Sequence, residues 1–307
     1  MYIKKVSSLM ENGEDKKIVI VEQINAEDFI YSLYMKTLTE QLPMVDVIVT
    51  SPPYNLNVKY QEYKDFLDFD DYLFLLIDSF SGVDKISNEN ALMYINLKEG
   101  STDALNRRIG FTKFFKSLVD MTEWEYVQRL IWFMPNKQII SPMNNMRLYG
   151  TYTEDVFFFV KKTHFNNGNE IINKSNIGIP LSDSYLKDKR YEKSRERMLS
   201  KYGKLFKDIG DMWVIPIYKY NKNLKKYNPA EFPIEFPEMA IKSHPEFGKK
   251  RLTVLDMFGG GGTTAIAGLR NDCNVYICDV SSEYIELTLE RIRGEFDESD
   301  FIIYKIH

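Results

Sequence analysis

Val254-Leu255-Asp256-Met257-Phe258-Gly259-Gly260-Gly261-Gly262-Thr263-Thr264 runs from a short apolar stretch through four glycines into two threonines. Read as a strand, a tight turn and a helix start, it decides the fold class. Glycines let a backbone approach a ligand closely, and the first N–H groups of the helix stay free for an anion. Asp256 at the strand end offers a carboxylate to a cation, while Gly260, Gly262, Thr263 and Thr264 offer amides and hydroxyls to an anion, so the turn matches an amino-acid zwitterion. Residues 275–278 read as the next strand, closed by Asp279, where an acidic side chain suits a ribose diol. The same glycines with Ala265 and Asp279 satisfy the loose dinucleotide pattern, so on this stretch alone a nicotinamide-dependent oxidoreductase stays open. A phosphate loop does not fit, because no Gly-Lys-Ser/Thr follows the glycines.

Working outward, residues 252–257 form the strand that feeds this turn and 263–269 the helix that leaves it, with helices over 236–243 and 282–293 and a last strand over 301–304. At the other end, residues 17–21, 28–38 and 45–49 read as strand, helix and buried strand. A helix over 69–80 and strands over 91–97, 128–133 and 155–160 follow. Strands alternating with helices predict an α/β fold with a doubly wound, mostly parallel sheet. After residue 162 the pattern changes to Asn, Lys, Tyr and Gly with weak periodicity. Residues 163–210 are therefore expected to be an inserted, partly helical module between residues 1–162 and 211–307, two halves of one domain.

With 307 residues, 44% of them hydrophobic, the chain can fill a sizeable core. Its two cysteines, Cys273 and Cys278, are too few for a disulfide framework or metal cluster and read as buried reduced thiols. No apolar leader opens the chain and no apolar run is long enough to span a bilayer, so a soluble cytoplasmic protein is expected. The net charge of −4 is unevenly spread: residues 163–227 hold 14 Lys and Arg against 7 Asp and Glu. That surplus suits phosphate contacts, with Lys187, Lys189, Arg190, Lys193, Arg195 and Arg197 as candidates, although alternating acids leave a solvated helix face open.

A second constellation, Ser51-Pro52-Pro53-Tyr54, lies directly after the strand over 45–49, at the strand end where open α/β sheets bind ligands. The prolines fix φ and remove backbone donors, leaving the Pro52 carbonyl held in one direction. Ser51 adds a hydroxyl and Tyr54 an aromatic face. Two oxygens and a ring suit a planar base carrying an amino group, and the segment leaves the oxidoreductase reading without an explanation for it.

Together these segments resemble the amino-methylating DNA methyltransferases, which make N4-methylcytosine or N6-methyladenine. The order is catalytic tetrapeptide first, basic divergent stretch next and glycine loop late, similar to the family's β-type arrangement. Gly210-Asp211-Met212-Trp213-Val214-Ile215-Pro216 is similar to the segment that follows the recognition region. Asn228-Pro229-Ala230-Glu231-Phe232-Pro233 resembles the family's His-Pro-Ala-x-Phe-Pro, with Asn228 in place of His. Gly261 stands where the family often has Ser, which removes a hydroxyl and adds loop flexibility.

The resemblance implies S-adenosylmethionine as cofactor, with its methionine end at Asp256 and Gly260–Thr264, its ribose on Asp279, and Phe258, Phe232 and Pro233 among the pocket walls. It implies a base flipped from double-stranded DNA onto Tyr54, its amine held by Ser51 and the Pro52 carbonyl, with no metal. An initial Ser more often accompanies cytosine N4 than adenine N6. A cognate restriction endonuclease is a partner expected of such enzymes. Methylation of RNA or of a protein amide, and a catalytically silent DNA-binding subunit, are the other readings. The basic insert favours DNA, and the intact cofactor residues favour an active enzyme. Asn55, Tyr60 and Tyr63 either shape the base pocket or belong to a loop.

Overall fold

The computed structural model describes residues 16–55, 67–97, 111–137, 152–168, 170–217 and 231–304. β1 (Lys17–Gln23) leads through α1 (Ala26–Glu40) to β2 (Val45–Thr50). Asn25 caps α1 by accepting the Asp28 N–H, and the helix buries Phe29, Ile30 and Leu33. Then come α2 (Phe69–Phe80), β3 (Ser87–Leu97), α3 (Thr112–Met121), β4 (Trp124–Phe133) and β5 (Thr153–Lys161). Helices α4 (Lys162–Asn166), α5 (Lys174–Ile177), α6 (Asp183–Lys187) and α7 (Glu192–Tyr202) precede β6 (Met212–Val214). The chain closes with α8 (Glu235–Lys242), β7 (Thr253–Asp256), α9 (Thr263–Arg270), β8 (Asn274–Asp279), α10 (Ser282–Glu295) and β9 (Phe301–Tyr304).

The strands form one sheet in the order β6-β4-β5-β3-β2-β7-β8-β1-β9. β2 and β7 are buried along their whole length, which is why they read as near-continuous apolar runs rather than alternating ones. β5 is antiparallel to both β3 and β4, and the other pairings are parallel. Side-chain patterning does not report strand direction, so this reversal was not legible. β3 and β4 also start several residues earlier than expected, at the polar Ser87 and at Trp124, and neither α3 nor the three-residue β6 was anticipated.

β2 and β7 lie side by side, with Val47 opposite Val254 and Ile48 opposite Leu255. From β2 the chain winds toward β3, and from β7 it winds the other way to β8. Their carboxyl ends therefore flank the point where the winding reverses, which opens a crevice for a ligand. Cys273 and Cys278 are buried and form no disulfide; burial pushes the Cys273 thiol up to about 12 and Cys278 well up too. No helix among the described residues is long and apolar enough to cross a membrane.

The chain leaves the sheet after β5 and returns at β6. In between, Ile179 pairs with Lys207, and Gly178 lies against the Phe206 ring, where an added Cβ would fall 2.3 Å from Cδ2.

Candidate active site and cofactor pocket

A cavity of about 370 Å³ opens at the winding reversal. Its walls come from the carboxyl ends of four strands: Ile24–Glu27 after β1, Ser51–Tyr54 after β2, Asp256–Gly260 after β7 and Asp279–Ser281 after β8. Leu75, Asp78 and Ser79 of α2, Thr263, Tyr284, Glu231 and Phe232 complete it. The two constellations are thus brought to one site.

Asp256 is buried, and one of its oxygens accepts from Thr50 Oγ1 at 2.7 Å and from the Phe258 N–H at 3.1 Å. The other accepts from Thr264 Oγ1 at 2.6 Å. Burial pushes the carboxyl up to about 6, against the pull of these hydrogen bonds. Gly260 and Gly262 take positive φ (48° and 82°), and a Cβ on Gly259 would collide with Ile277 at 2.1 Å, so the turn lies flat on β8. Asp279 receives the Gly260 N–H and the Ser281 N–H, both at 2.9 Å, one on each oxygen.

Thr264 faces away from the cavity onto Asp256, and Gly262 rests against Thr288. Pro233 is buried and Phe232 stacks on Phe236 at 5.0 Å, so Phe232 supplies the wall and Pro233 lies behind it. Asn228, Pro229 and Ala230 fall outside the described residues. At Gly261 the carbonyl accepts from Arg291 Nη1, which also donates to Glu231. Glu231 also accepts from the Thr263 hydroxyl. A Cβ at 261 would sit 3.4 Å from Arg291 Nη1, so the glycine leaves room for a clamp.

At the other end, Tyr54 Oη lies 2.8 Å from Asn96 Oδ1 and 3.0 Å from Glu154 Oε2, and Ser51 Oγ lies 3.0 Å from Tyr54 Oη. Asn96 donates its amide N–H to the Asp155 carbonyl, which turns its Oδ1 toward the tyrosine. Tyr72 donates to the Pro53 carbonyl at 2.6 Å, and no hydrogen bond reaches the Pro52 carbonyl among the described residues. Asn55 takes φ 57° and is buried, exchanging two hydrogen bonds with the Leu67 backbone. It is thus a tie holding the loop end. Tyr60 and Tyr63 lie outside the described residues.

The family model for DNA methylases of the N6/N4 type matches residues 45–290. The chain belongs to the N6/N4 DNA methylase family. It is 24% identical over 261 residues to the type II methyltransferase M.BglII of Bacillus subtilis, covering 83% of this methylase and 66% of that relative's length. It is also 24% identical to M.HpaI of Haemophilus parainfluenzae, covering 87% and 74%. Among solved structures it shares its fold with PvuII DNA methyltransferase, described as cytosine-N4-specific (TM-score 0.63, 15% identity, 92% and 90% covered). It also shares it with the M1.HpyAVI–SAM complex (TM-score 0.51, 18% identity, 89% and 100% covered). The fold is the Rossmann-like fold of S-adenosylmethionine-dependent methyltransferases.

The cavity of this methylase fits that cofactor on its own geometry. A buried carboxylate stands at one strand end and an acidic side chain at the next, and the glycine turn leads into the free N–H groups of α9.

In the basic module, the candidate DNA contacts divide into two groups. Arg190 donates to Asp188 at 2.6 and 3.0 Å while its side chain stays exposed, and Arg195 donates to the carbonyls of Tyr185 and Asp188 at 2.8 and 2.9 Å. These two also tie the module together from within. Lys187, Lys189, Lys193 and Arg197 are exposed and make no ion pair among the described residues.

Several site residues were missed. Asn96 is the lone polar residue in the apolar run 91–97, a signal that was readable. Thr50, ending an apolar strand beside Ser51, was readable too. Glu154, Tyr72 and Arg291 carry no such local signal, because only the strand order brings them to the site.

Proposed function

We propose that this chain methylates the exocyclic amine of a base flipped out of double-stranded DNA, cytosine N4 in preference to adenine N6, as the modification member of a restriction system. The observation that carries the reading is the cluster at the carboxyl ends of β2 and β3. Ser51 Oγ and the open Pro52 carbonyl are neutral acceptors at one edge of the cavity, and Asn96 Oδ1 behind them fixes the Ser51 and Tyr54 hydroxyls. An amine with two N–H groups is matched by such oxygens. The initial Ser51, rather than a carboxylate, favours cytosine.

S-adenosylmethionine supplies a methyl group on a sulfonium, already an excellent leaving group. The chain's own residues position and desolvate the amine. Ser51 and the Pro52 carbonyl draw its hydrogens out of plane and stabilise the positive charge that develops on nitrogen. Tyr54, its hydroxyl fixed by Asn96 and Glu154, presents a preset ring for the base, a contact worth about 1–3 kcal/mol. Asp256, Thr263 and the glycine turn hold the amino-acid end of the cofactor, and Asp279 holds its ribose. Lys187, Lys189, Lys193 and Arg197 contact phosphates.

Incubation with labelled S-adenosylmethionine and unmethylated DNA, followed by digestion to nucleosides and mass identification, tests this reading. Labelled N4-methylcytosine is expected. Labelled N6-methyladenine would keep the mechanism and overturn the base assignment, and no label in DNA would overturn the substrate.

A further inference from the structure

The charged residues lining the cavity are all of one sign. Glu27, Asp78, Glu231, Asp256 and Asp279 line it, and no Lys, Arg or His does so among the described residues. Arg291 pairs with Glu231 at 2.5 Å and balances its charge. Asp279 takes two backbone N–H groups, which stabilise its ionised form. Glu27 and Asp78 stand exposed at the rim, on α1 and α2, and no hydrogen bond or ion pair neutralises either of them among the described residues. Among the described residues this concave site thus carries a surplus of negative charge, and a concave site concentrates such a field on whatever it encloses.

This bears on the two forms of the cofactor. S-adenosylmethionine carries a sulfonium, an ammonium and a carboxylate, a net charge of about +1 at neutral pH. The product, S-adenosylhomocysteine, is a thioether with no net charge. Shape and hydrogen-bonding groups are otherwise shared, so contacts with adenine, ribose and the amino-acid end barely distinguish them. Resting on the cofactor reading above, we propose that the acidic wall is a charge filter. It favours the sulfonium cofactor over the neutral product, so that loss of the methyl group itself weakens binding and promotes release. The rim carboxylates Glu27 and Asp78 contribute through the field, without touching the reacting atoms.

Isothermal titration of the full chain with each ligand, in 50 mM and 500 mM salt, tests this. The product is expected to bind more weakly than the cofactor, with the ratio shrinking as salt rises. For a rim charge at about 8 Å in a partly screened setting, Asp78→Asn should lower that ratio about two- to five-fold, and Asp78→Lys should lower it further. Both should act by weakening the cofactor alone. Glu27→Gln should do the same, and circular dichroism checks that each variant is folded. A ratio that none of these variants nor salt changes overturns the charge filter while leaving the cofactor site intact. Failure of both ligands to bind the wild-type chain overturns the cofactor reading itself.

Discussion

Thr50→Val is nearly isosteric and removes one hydroxyl, the donor that reaches Asp256 Oδ1 at 2.7 Å. Asp256 is the buried carboxylate assigned to the ammonium of the cofactor, and it must be ionised to serve. Burial already lifts its carboxyl from an ordinary value of about 3.9 to about 6, with the Thr50 and Thr264 hydroxyls restraining the rise. A hydrogen bond to a charged group contributes about 1.5–3 kcal/mol, and one pKa unit corresponds to about 1.4 kcal/mol. Taking the lower figure, because Thr264 and the Phe258 N–H remain, Thr50→Val should raise the carboxyl by about one unit, to about 7. The cofactor affinity of the variant relative to wild type, a ratio from which the ligand's own titration cancels, should then be about five-fold weaker at pH 6. At pH 8.5, where both carboxyls are ionised, the two proteins should bind alike.

Calorimetric titration at half-unit steps from pH 5 to 8.5 reads this directly. The sign for stability runs the other way from a salt-bridged carboxylate. A folded-state value above the unfolded one costs nothing below about pH 4, and the penalty grows to about 3 kcal/mol by pH 6. Thr50→Val should therefore lower the melting temperature of the ligand-free protein more at pH 7.5 than at pH 5. A ratio independent of pH, or a midpoint that moves downward, would refute the assignment of Asp256 as the titrating cofactor ligand.

Three further outcomes follow from the geometry. Tyr54→Phe removes the hydroxyl held by Asn96 and Glu154, so kcat should fall about ten-fold while the cofactor Kd changes less than two-fold, as single-turnover methylation and titration will report. Arg291→Leu leaves Glu231 without its cation beside the glycine turn; with both groups partly exposed, the cost is about 1–2 kcal/mol. Cofactor affinity should fall by up to about ten-fold with a melting point about 2–6 °C lower, and adding Glu231→Gln should restore part of both losses. Replacing Lys187, Lys189, Lys193 or Arg197 by Ala should each reduce the slope of log affinity for DNA against log salt by about 0.9, whereas Arg195→Ala should instead loosen the module, detected as faster proteolysis.

The legible parts of this fold were those written in local chemistry. Apolar runs at 45–49 and 252–257 marked strands buried on both faces, and glycines 259–262 marked the place where backbone lies against β8 and where φ must turn positive. Helix 69–80 and strand 301–304 were bounded to the residue. What stayed hidden was non-local. The reversal of β5 places Glu154 near its amino end, at the same sheet edge as Asn96 near the carboxyl end of β3, so the two converge on Tyr54 only because neighbouring strands run opposite ways. Arg190 and Arg195 looked like Lys187 and Lys189 in the sequence. Only the turn at Asp188, which closes 3-10 geometry over Lys189–Tyr191, shows that some of their donors bond within the module.

Thr50 and Asp256 stand 206 residues apart, yet their side chains meet in a buried hydrogen bond at the centre of the sheet. Thr50 immediately precedes Ser51 and so fixes where the tetrapeptide leaves β2, while Asp256 fixes where the glycine turn leaves β7. On the proposed roles, the bond makes the position of the Ser51–Pro52 edge and the ionisation of Asp256 depend on one another. Ionised Asp256 accepts strongly from Thr50, and protonated Asp256 accepts weakly. A cation that stabilises the ionised carboxylate thereby tightens the anchor of Ser51 and Pro52. Because linkage is reciprocal, a base seated on that edge should strengthen cofactor binding by the same factor. That coupling needs no moving domain, since the winding reversal at β2 and β7 already places both sites on adjacent strand ends.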